Sequence, residues 1–144
     1  TYQGHPTACA AGVAVLQELL SQNFSAQVKE KGERLHQALQ QQFAEHPNVG
    51  DVRGRGLFLG IELVQDKQTK EPLNPNFNLP EQIRHTAMQH GLLCYPMGGT
   101  IDGRRGHHVL LAPPFIINDA ELELIVERIS STLNAILPAL DQAA

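Results

Sequence analysis

The chain has 144 residues and a mass of 15.8 kDa, and 42% of its residues are hydrophobic, so it can bury the core of one domain. Eleven basic against fifteen acidic residues give a formal net charge of -4, which excludes the basic excess that nucleic-acid binding requires. No apolar run approaches the roughly 20 residues of a membrane span, so we expect no membrane partner either.

The first predicted helix covers Thr7 to Leu20 and is apolar on every side. Its helically spaced apolar residues are Ala8, Ala11, Val15, Leu16 and Leu19, and its other face carries Cys9, Ala10, Val13 and Ala14. A helix that is apolar all round is normally buried. In so short a chain, we expect a partner subunit or a further domain to cover it.

A second helix is predicted from about Ser25 to Ala44, and Pro47 prevents its continuation. Strand signals follow between Val49 and Val64. They are Val52 and, after a break at two glycines, the alternating residues Leu57, Leu59, Ile61 and Leu63. The proline- and asparagine-rich stretch from Asp66 to Phe77 predicts a polar loop.

The second half predicts a helix between Pro80 and Gly91, then a strand over Leu92 to Tyr95 and another over His108 to Ala112. The glycine-rich stretch from Gly98 to Gly106 predicts the loop between them. A last helix is expected to begin at the capping pair Asn118 and Glu121 and to end before Pro138. This order indicates an α+β fold, in which helices cover a small mixed or antiparallel sheet.

Three stretches carry a family resemblance. They are Thr1 to Ala11 (TYQGHPTACAA), Val52 to Leu57 (VRGRGL) leading to Gly60 to Leu63 (GIEL), and Leu110 to Ile116 (LLAPPFI). In this order they resemble class III aminotransferases, which are pyridoxal-phosphate enzymes of fold-type I and include the omega-transaminases. The resemblance implies the C-terminal third of such an enzyme. Residues 1–46 would join a large domain to a small C-terminal domain over residues 47–144.

The resemblance also implies where the cofactor chemistry lies. A pyridoxal-phosphate transaminase needs a lysine that holds the cofactor as a Schiff base and an acid beside the pyridine nitrogen. In the family both precede the first of these motifs. The lysines of this chain lie on a polar helix face or in a polar loop, where an ammonium stays hydrated: Lys29, Lys31, Lys67 and Lys70. We therefore expect no catalytic residue here, and no transamination by this chain alone.

Thr1 is the candidate cofactor-binding residue. In the family, the threonine of this motif resembles a clamp on the cofactor phosphate of the neighbouring subunit, where Gly4 lets the backbone approach closely and Pro6 begins the helix. The alternative is an ordinary cap and turn with Thr1 as a frayed terminus.

Arg104, Arg105 and Tyr95 are the candidate substrate-binding residues. Many family members carry a mobile arginine that pairs with the substrate carboxylate, and the position that aligns with it here is Tyr95. With tyrosine at that position, an arginine of the glycine-rich loop is the available donor to the substrate carboxylate. The charge must be mobile, because one site accepts both an acidic keto partner and an uncharged amine. The alternatives are that both arginines are simply solvated, and that Tyr95, like Phe115, belongs to the core rather than to a substrate pocket.

Arg53 and Arg55 alternate with glycines and are compatible with an anion loop, but the resemblance favours a structural role at the opening of the first strand. The adjacent His107 and His108 would point to opposite faces of a strand, so they cannot share a metal ion. We expect no metal site.

The resulting expectation is a homodimeric, cytoplasmic aminotransferase with pyridoxal phosphate in the intact enzyme, which moves an amino group from an amine or amino acid to a keto acid such as pyruvate. The cytoplasmic location is inferred from the two cysteines, which lie far apart in the sequence and do not indicate a disulfide framework. A free-standing, non-catalytic dimerisation or regulatory module with the same fold is the alternative. A pyridoxal-phosphate mutase or decarboxylase is a third possibility.

Overall fold

The computed structural model describes residues 1 and 3–141 of the chain. Its elements, in chain order, are α1 (Pro6–Ser21), α2 (Phe24–Gln42), β1 (Val49–Arg55), β2 (Phe58–Leu63), a 3-10 turn (Pro75–Phe77), α3 (Leu79–Gln89), β3 (Tyr95–Gly98), β4 (His107–Leu111) and α4 (Asp119–Asp141). The predicted order of helices and strands is confirmed, and so is the α+β class.

The four strands form one sheet in the order β1-β2-β4-β3, and each neighbouring pair is antiparallel. Two hairpins, β1 with β2 and β3 with β4, are joined through the central pair β2 and β4. In that pair Ile61 lies opposite Val109. The sequence left a mixed or an antiparallel sheet open, and the sheet is antiparallel.

One face of the sheet packs against helices α2, α3 and α4. Ile61 and Val109 are fully buried on this face, and Val52 and Pro96 lie beside them in the same row. The helices contribute pairs spaced by one turn, which places both members on one side: Leu35 and Leu39 of α2, Ile83 and Ala87 of α3, and Ile129 and Leu133 of α4.

The other face of the sheet, here called the open face, carries the alternate residues of each strand. Its members are exposed or half-buried: Asp51 and Arg53 of β1, Phe58, Gly60 and Glu62 of β2, His108 and Leu110 of β4, and Tyr95 and Met97 of β3. The open face mixes charged, aromatic and aliphatic side chains.

Helix α1 contains no buried residue. Its larger apolar side chains are open to solvent, with Leu16 59% and Leu20 79% exposed. The predicted helix is therefore present, and its apolar surface is uncovered by the described part of the chain.

Three details differ from the sequence predictions. The strand expected over Leu92 to Tyr95 lies at Tyr95–Gly98, because pairing with β4 sets its position and Leu92 packs into the core. The VRGRGL stretch ends β1 and turns into β2 rather than opening the strand, because Gly54 and Gly56 take positive φ.

The last helix continues past Pro138 to Asp141 instead of ending before the proline. A proline removes a single backbone donor, and here that loss does not end the helix. The start of the helix is as predicted. The amide of Glu121 donates to the Asn118 side chain at 2.9 Å, and the Asn118 amide donates to the Glu121 carboxylate at 2.8 Å.

Candidate active-site region

The Thr1 motif leads directly into α1, which begins at Pro6. Gly4 has φ +75°, and a Cβ placed on it would meet nothing within 4 Å. Thr1 is exposed, and the side chain of the capping residue His5 leaves the first amides of α1 uncapped. The structure therefore shows an exposed Thr1 and an uncapped helix start, and the role of Thr1 stays a prediction.

The glycine-rich loop is a compact, internally bonded hairpin end. The Ile101 amide donates to the Arg105 carbonyl at 2.9 Å, and the Gly103 amide donates to the Gly99 carbonyl at 2.9 Å. Gly99, Gly103 and Gly106 have positive φ, as the sequence suggested.

The two loop arginines differ in their surroundings. Arg105 donates from Nε to the Asp102 carboxylate at 2.8 Å, whereas the exposed side chain of Arg104 has no hydrogen bond or ion pair to another described residue. Hydrogen bonds from the Arg105 backbone and side chain and from the Arg104 backbone lower the pKa of Asp102 to about 2. The sequence analysis missed Asp102, although Asp-Gly is a recognisable turn signal.

Tyr95 lies on the open face, 61% exposed, opposite Leu110. Gly98, where the loop begins, lies three positions further along the strand, which is roughly 10 Å. The structure therefore places Tyr95 at a distance from the loop arginines.

Tyr95 borders an apolar groove at the edge of the sheet. The groove is lined by Phe58, Leu92, Leu93, Cys94, Tyr95, Leu110, Leu111, Ala112, Pro113, Pro114, Ile117 and Ile125. Burial raises the pKa of the Cys94 thiol to about 11, so it stays protonated at neutral pH. The sequence analysis missed Phe58 and Leu110, although the alternation of the strands could have placed both on the face of Tyr95.

Phe115 lies elsewhere. Its ring packs at 6.2 Å from that of Phe24, and its carbonyl accepts a hydrogen bond from Lys31. The core interpretation was wrong for both aromatic residues, since Phe115 and Tyr95 are exposed. Tyr95 alternates with the inward-facing Pro96 of β3, and Phe115 lies in the exposed connection between β4 and α4.

Arg53 has local partners on the open face. Its guanidinium contacts Asp51 at 3.0 Å and Glu62 at 3.1 Å, and hydrogen bonds to these two carboxylates raise its pKa. Cross-strand pairing places Glu62 beside Asp51, so both carboxylates reach the same arginine. This arrangement supports the structural role that the resemblance favoured.

His107 and His108 point to opposite faces of β4, as predicted. His108 lies on the open face, where its Nδ1 is 2.8 Å from the Thr100 hydroxyl. His107 is buried, with an Nδ1 that has no hydrogen-bond partner. Burial, and then the neighbouring His108, lower the pKa of His107. Within residues 1 and 3–141, no group of three or more metal-ligating side chains comes together.

We expect the buried His107 to make the fold sensitive to acid. Its pKa is below the ordinary value of 6.5, so the unfolded chain takes up the proton first as the pH falls. The stability should be fully present above about pH 6.5 and decline below it. In urea unfolding at pH 7 and pH 5, His107→Leu should lose less stability than the wild type. Equal losses in both proteins would contradict this expectation.

Three of the four lysines donate to backbone carbonyls. Lys31 donates to Phe115 at 3.0 Å and Lys67 to Phe43 at 3.0 Å, Lys70 donates to Gly50, and Lys29 is exposed. None of these ammonium groups fits the amine that pyridoxal phosphate needs.

No helix in the described part of the chain is both long and apolar enough to cross a membrane.

A model of the aminotransferase class-III family matches residues 1–133. An uncharacterized aminotransferase of Schizosaccharomyces pombe is 44% identical over 140 residues, which are 97% of this chain and 30% of that protein.

Solved structures agree. An (S)-enantioselective omega-transaminase from Thermomicrobium roseum superimposes with a TM-score of 0.83 at 33% identity, over 95% of this chain and 29% of its own. A transaminase from the marine bacterium Virgibacillus superimposes with a TM-score of 0.88 at 28% identity, over 97% of this chain and 31% of its own. The chain spans about 30% of the length of these relatives. By this match over nearly its whole length, the chain belongs to the class-III aminotransferase family.

Proposed function

We propose that this chain serves as the C-terminal portion of a pyridoxal-phosphate-dependent aminotransferase that moves an amino group from an amine or amino acid to a keto acid such as pyruvate. The observation that carries the proposal is the family match over residues 1–133, which includes the three motifs in order. When bound, pyridoxal phosphate supplies the electron sink for the transfer. The reacting lysine would come from outside this chain.

In this proposal residues 1–46 join a large domain to the small domain of residues 47–144. The exposed apolar surface of α1 supports this role, since an uncovered apolar helix requires a neighbour. Thr1 would contact the cofactor phosphate of the neighbouring subunit, which makes the enzyme a homodimer. The absence of a disulfide framework supports a cytoplasmic location.

The small domain would supply the recognition of the substrate. A guanidinium binds a carboxylate through charge-assisted hydrogen bonds, and Arg104 and Arg105 are the candidates for the keto acid. The groove beside Tyr95 offers apolar surface to an uncharged amine substituent. In this proposal the loop arginines serve the keto acid and the groove serves the amine.

The first experiment is to measure the size of the native polypeptide by immunoblot against this chain, with peptide mapping upstream of Thr1. We expect a product about three times longer than this chain, in which borohydride traps the cofactor on a lysine outside residues 1–144. A native product of 15.8 kDa would favour the non-catalytic module instead. A stoichiometric cofactor adduct on Lys29, Lys31, Lys67 or Lys70 would contradict the assignment of these lysines.

We expect Arg104→Gln or Arg105→Gln in the full-length enzyme to raise the KM for pyruvate by about tenfold or more, because hydrogen bonds between charged groups contribute about 1.5–3 kcal/mol. The KM for an uncharged amine should change little. Arg84→Gln is the control, since Arg84 is paired with Glu81 on the exposed surface of α3. If the KM for pyruvate is unchanged in both loop variants, the assignment of the loop arginines is wrong.

A further inference from the structure

We propose that His107 is an acid-sensitive switch: when its ring takes up a proton, the end of the β3–β4 hairpin and the loop of residues 99–106 open, while β1 and β2 stay folded. The inference goes beyond the proposed function and does not rest on it, because it concerns a conformational equilibrium within this chain. It gives the loop that carries Arg104 and Arg105 a response to pH.

The surroundings of the His107 ring suit only the neutral imidazole. His107 is 4% exposed, and within residues 1 and 3–141 its Nδ1 is the one fully buried side-chain nitrogen or oxygen that has no hydrogen-bond partner. A neutral ring can leave Nδ1 as a bare acceptor, whereas a protonated ring carries an N–H on both nitrogens. Protonation in place would therefore bury a charge together with an unpaired donor, which proteins avoid.

The neighbours of His107 in the adjoining elements are uncharged. Strand pairing places it opposite Leu63 of β2 and Gly98 of β3. A Cβ on Gly98 would lie 3.3 Å from Cδ2 of His107 and 3.5 Å from Cγ of Pro80, so the start of α3 reaches the same place. None of these three residues can compensate a positive charge.

The acidic groups of the adjoining elements are engaged elsewhere. Glu62, the acid of β2, lies on the open face with its carboxylate on Arg53. Glu81, the acid of α3, forms an ion pair at the exposed surface of that helix, and β3 contains no acid. In its own strand His107 is followed by His108, which disfavours a second positive charge beside it. A proton on the buried ring therefore gains no ionic partner.

The sheet can open beside His107 without unfolding as a whole. β3 is an edge strand of four residues that pairs with β4 alone, and Gly98 with His107 is the last pair of the hairpin before the loop. Gly98 is exposed, so separation of this pair brings the ring to solvent. On the other side of β4, β2 and β1 keep their pairing. Such a local opening requires less free energy than global unfolding.

The loop is fastened to the strand end that would open. The Thr100 amide donates to the Gly106 carbonyl at 3.3 Å, and the Thr100 hydroxyl lies 2.8 Å from Nδ1 of His108. Both contacts join the loop to the start of β4, where His107 would be displaced. Opening at His107 is therefore expected to expose the amides of residues 99–106.

The sign of the pH dependence follows from the pKa of His107, which burial lowers from the ordinary value of 6.5. The opened ring has the ordinary pKa, so the open form takes up the proton first as the pH falls. The opening equilibrium is constant above about pH 6.5 and shifts toward the open form below it. Between pH 7 and pH 5 the shift is limited to about 25-fold.

The test is hydrogen exchange of the intact protein at pH 7 and pH 5, measured by mass spectrometry and corrected for the pH dependence of exchange in unstructured peptides. We expect the opening equilibrium of residues 97–106 to increase several-fold at pH 5, within the limit of about 25-fold. Residues 52–61 of the β1–β2 hairpin should keep their protection. Equal losses of protection in the two segments would mean global unfolding and would overturn the proposal, as would unchanged protection in both.

His107→Leu and His107→Met replace the ring by apolar side chains of similar size, and either one should remove the response to pH. Two variants are used because a single one can pack poorly. His85→Gln is the matched control, since His85 is an exposed histidine of α3 and its loss should leave the response unchanged. If both His107 variants open at pH 5 as the wild type does, or if His85→Gln removes the response, another group titrates and the proposal is wrong.

Discussion

Gly32→Ala is expected to destabilise the chain by about 3 kcal/mol or more. A Cβ at this position of α2 would lie 2.3 Å from the carbonyl carbon and oxygen of Gly56 and 2.5 Å from its Cα. These atoms are backbone of the turn between β1 and β2, so the helix would have to move away from the sheet. Urea unfolding monitored by circular dichroism measures the effect.

A loss of stability in Gly32→Ala would point to the contact with Gly56, because a glycine-to-alanine substitution within a helix normally stabilises a protein by about 1 kcal/mol. Gly12→Ala in α1 is the matched control, since a Cβ there would meet nothing within 4 Å. We expect Gly12→Ala to be neutral or stabilising in this chain. A Gly32→Ala variant as stable as the wild type would show that α2 does not rest on Gly56.

Ile61→Ala is expected to destabilise the chain by about 3–5 kcal/mol. Ile61 is fully buried at the centre of β2, between Val52 of β1 and Val109 of β4, so the lost side chain leaves a cavity under the helices. Ile61→Val should cost about 1 kcal/mol, because it removes a single methyl group. Chemical denaturation of both variants gives the two values on one scale.

Phe58→Ala on the same strand serves as the comparison. Phe58 is 59% exposed on the open face, so its removal should change the stability by about 0.5 kcal/mol. A loss comparable to that of Ile61→Ala would mean that the open face is covered in the folded chain.

Much of the fold could be predicted because its signals are local. The Asn118 and Glu121 capping pair and the alternation in β2 identify their elements without reference to the rest of the chain. The prediction failed at β3, because partner pairing rather than local preference sets the limits of a four-residue strand.

The candidate site could be predicted only in part. Arg104 and Arg105 stood out because glycines surround them, but the pairing of Arg105 with Asp102 depends on the geometry of a loop with three positive φ angles. The position of Tyr95 beside Leu110 follows from strand register, which a sequence pattern does not specify across a long connection.

The sequence by itself determined the order of helices and strands, the turn positions of the loop glycines and the family to which the motifs point. These depend on hydrophobic periodicity, on the conformational range of single residues and on short motifs. Only the tertiary structure decided which residues share the open face, that Gly32 touches Gly56 and that α1 is left uncovered. Each of these results from contacts between segments far apart in the chain, where packing and strand register select one arrangement among several that satisfy the same local pattern.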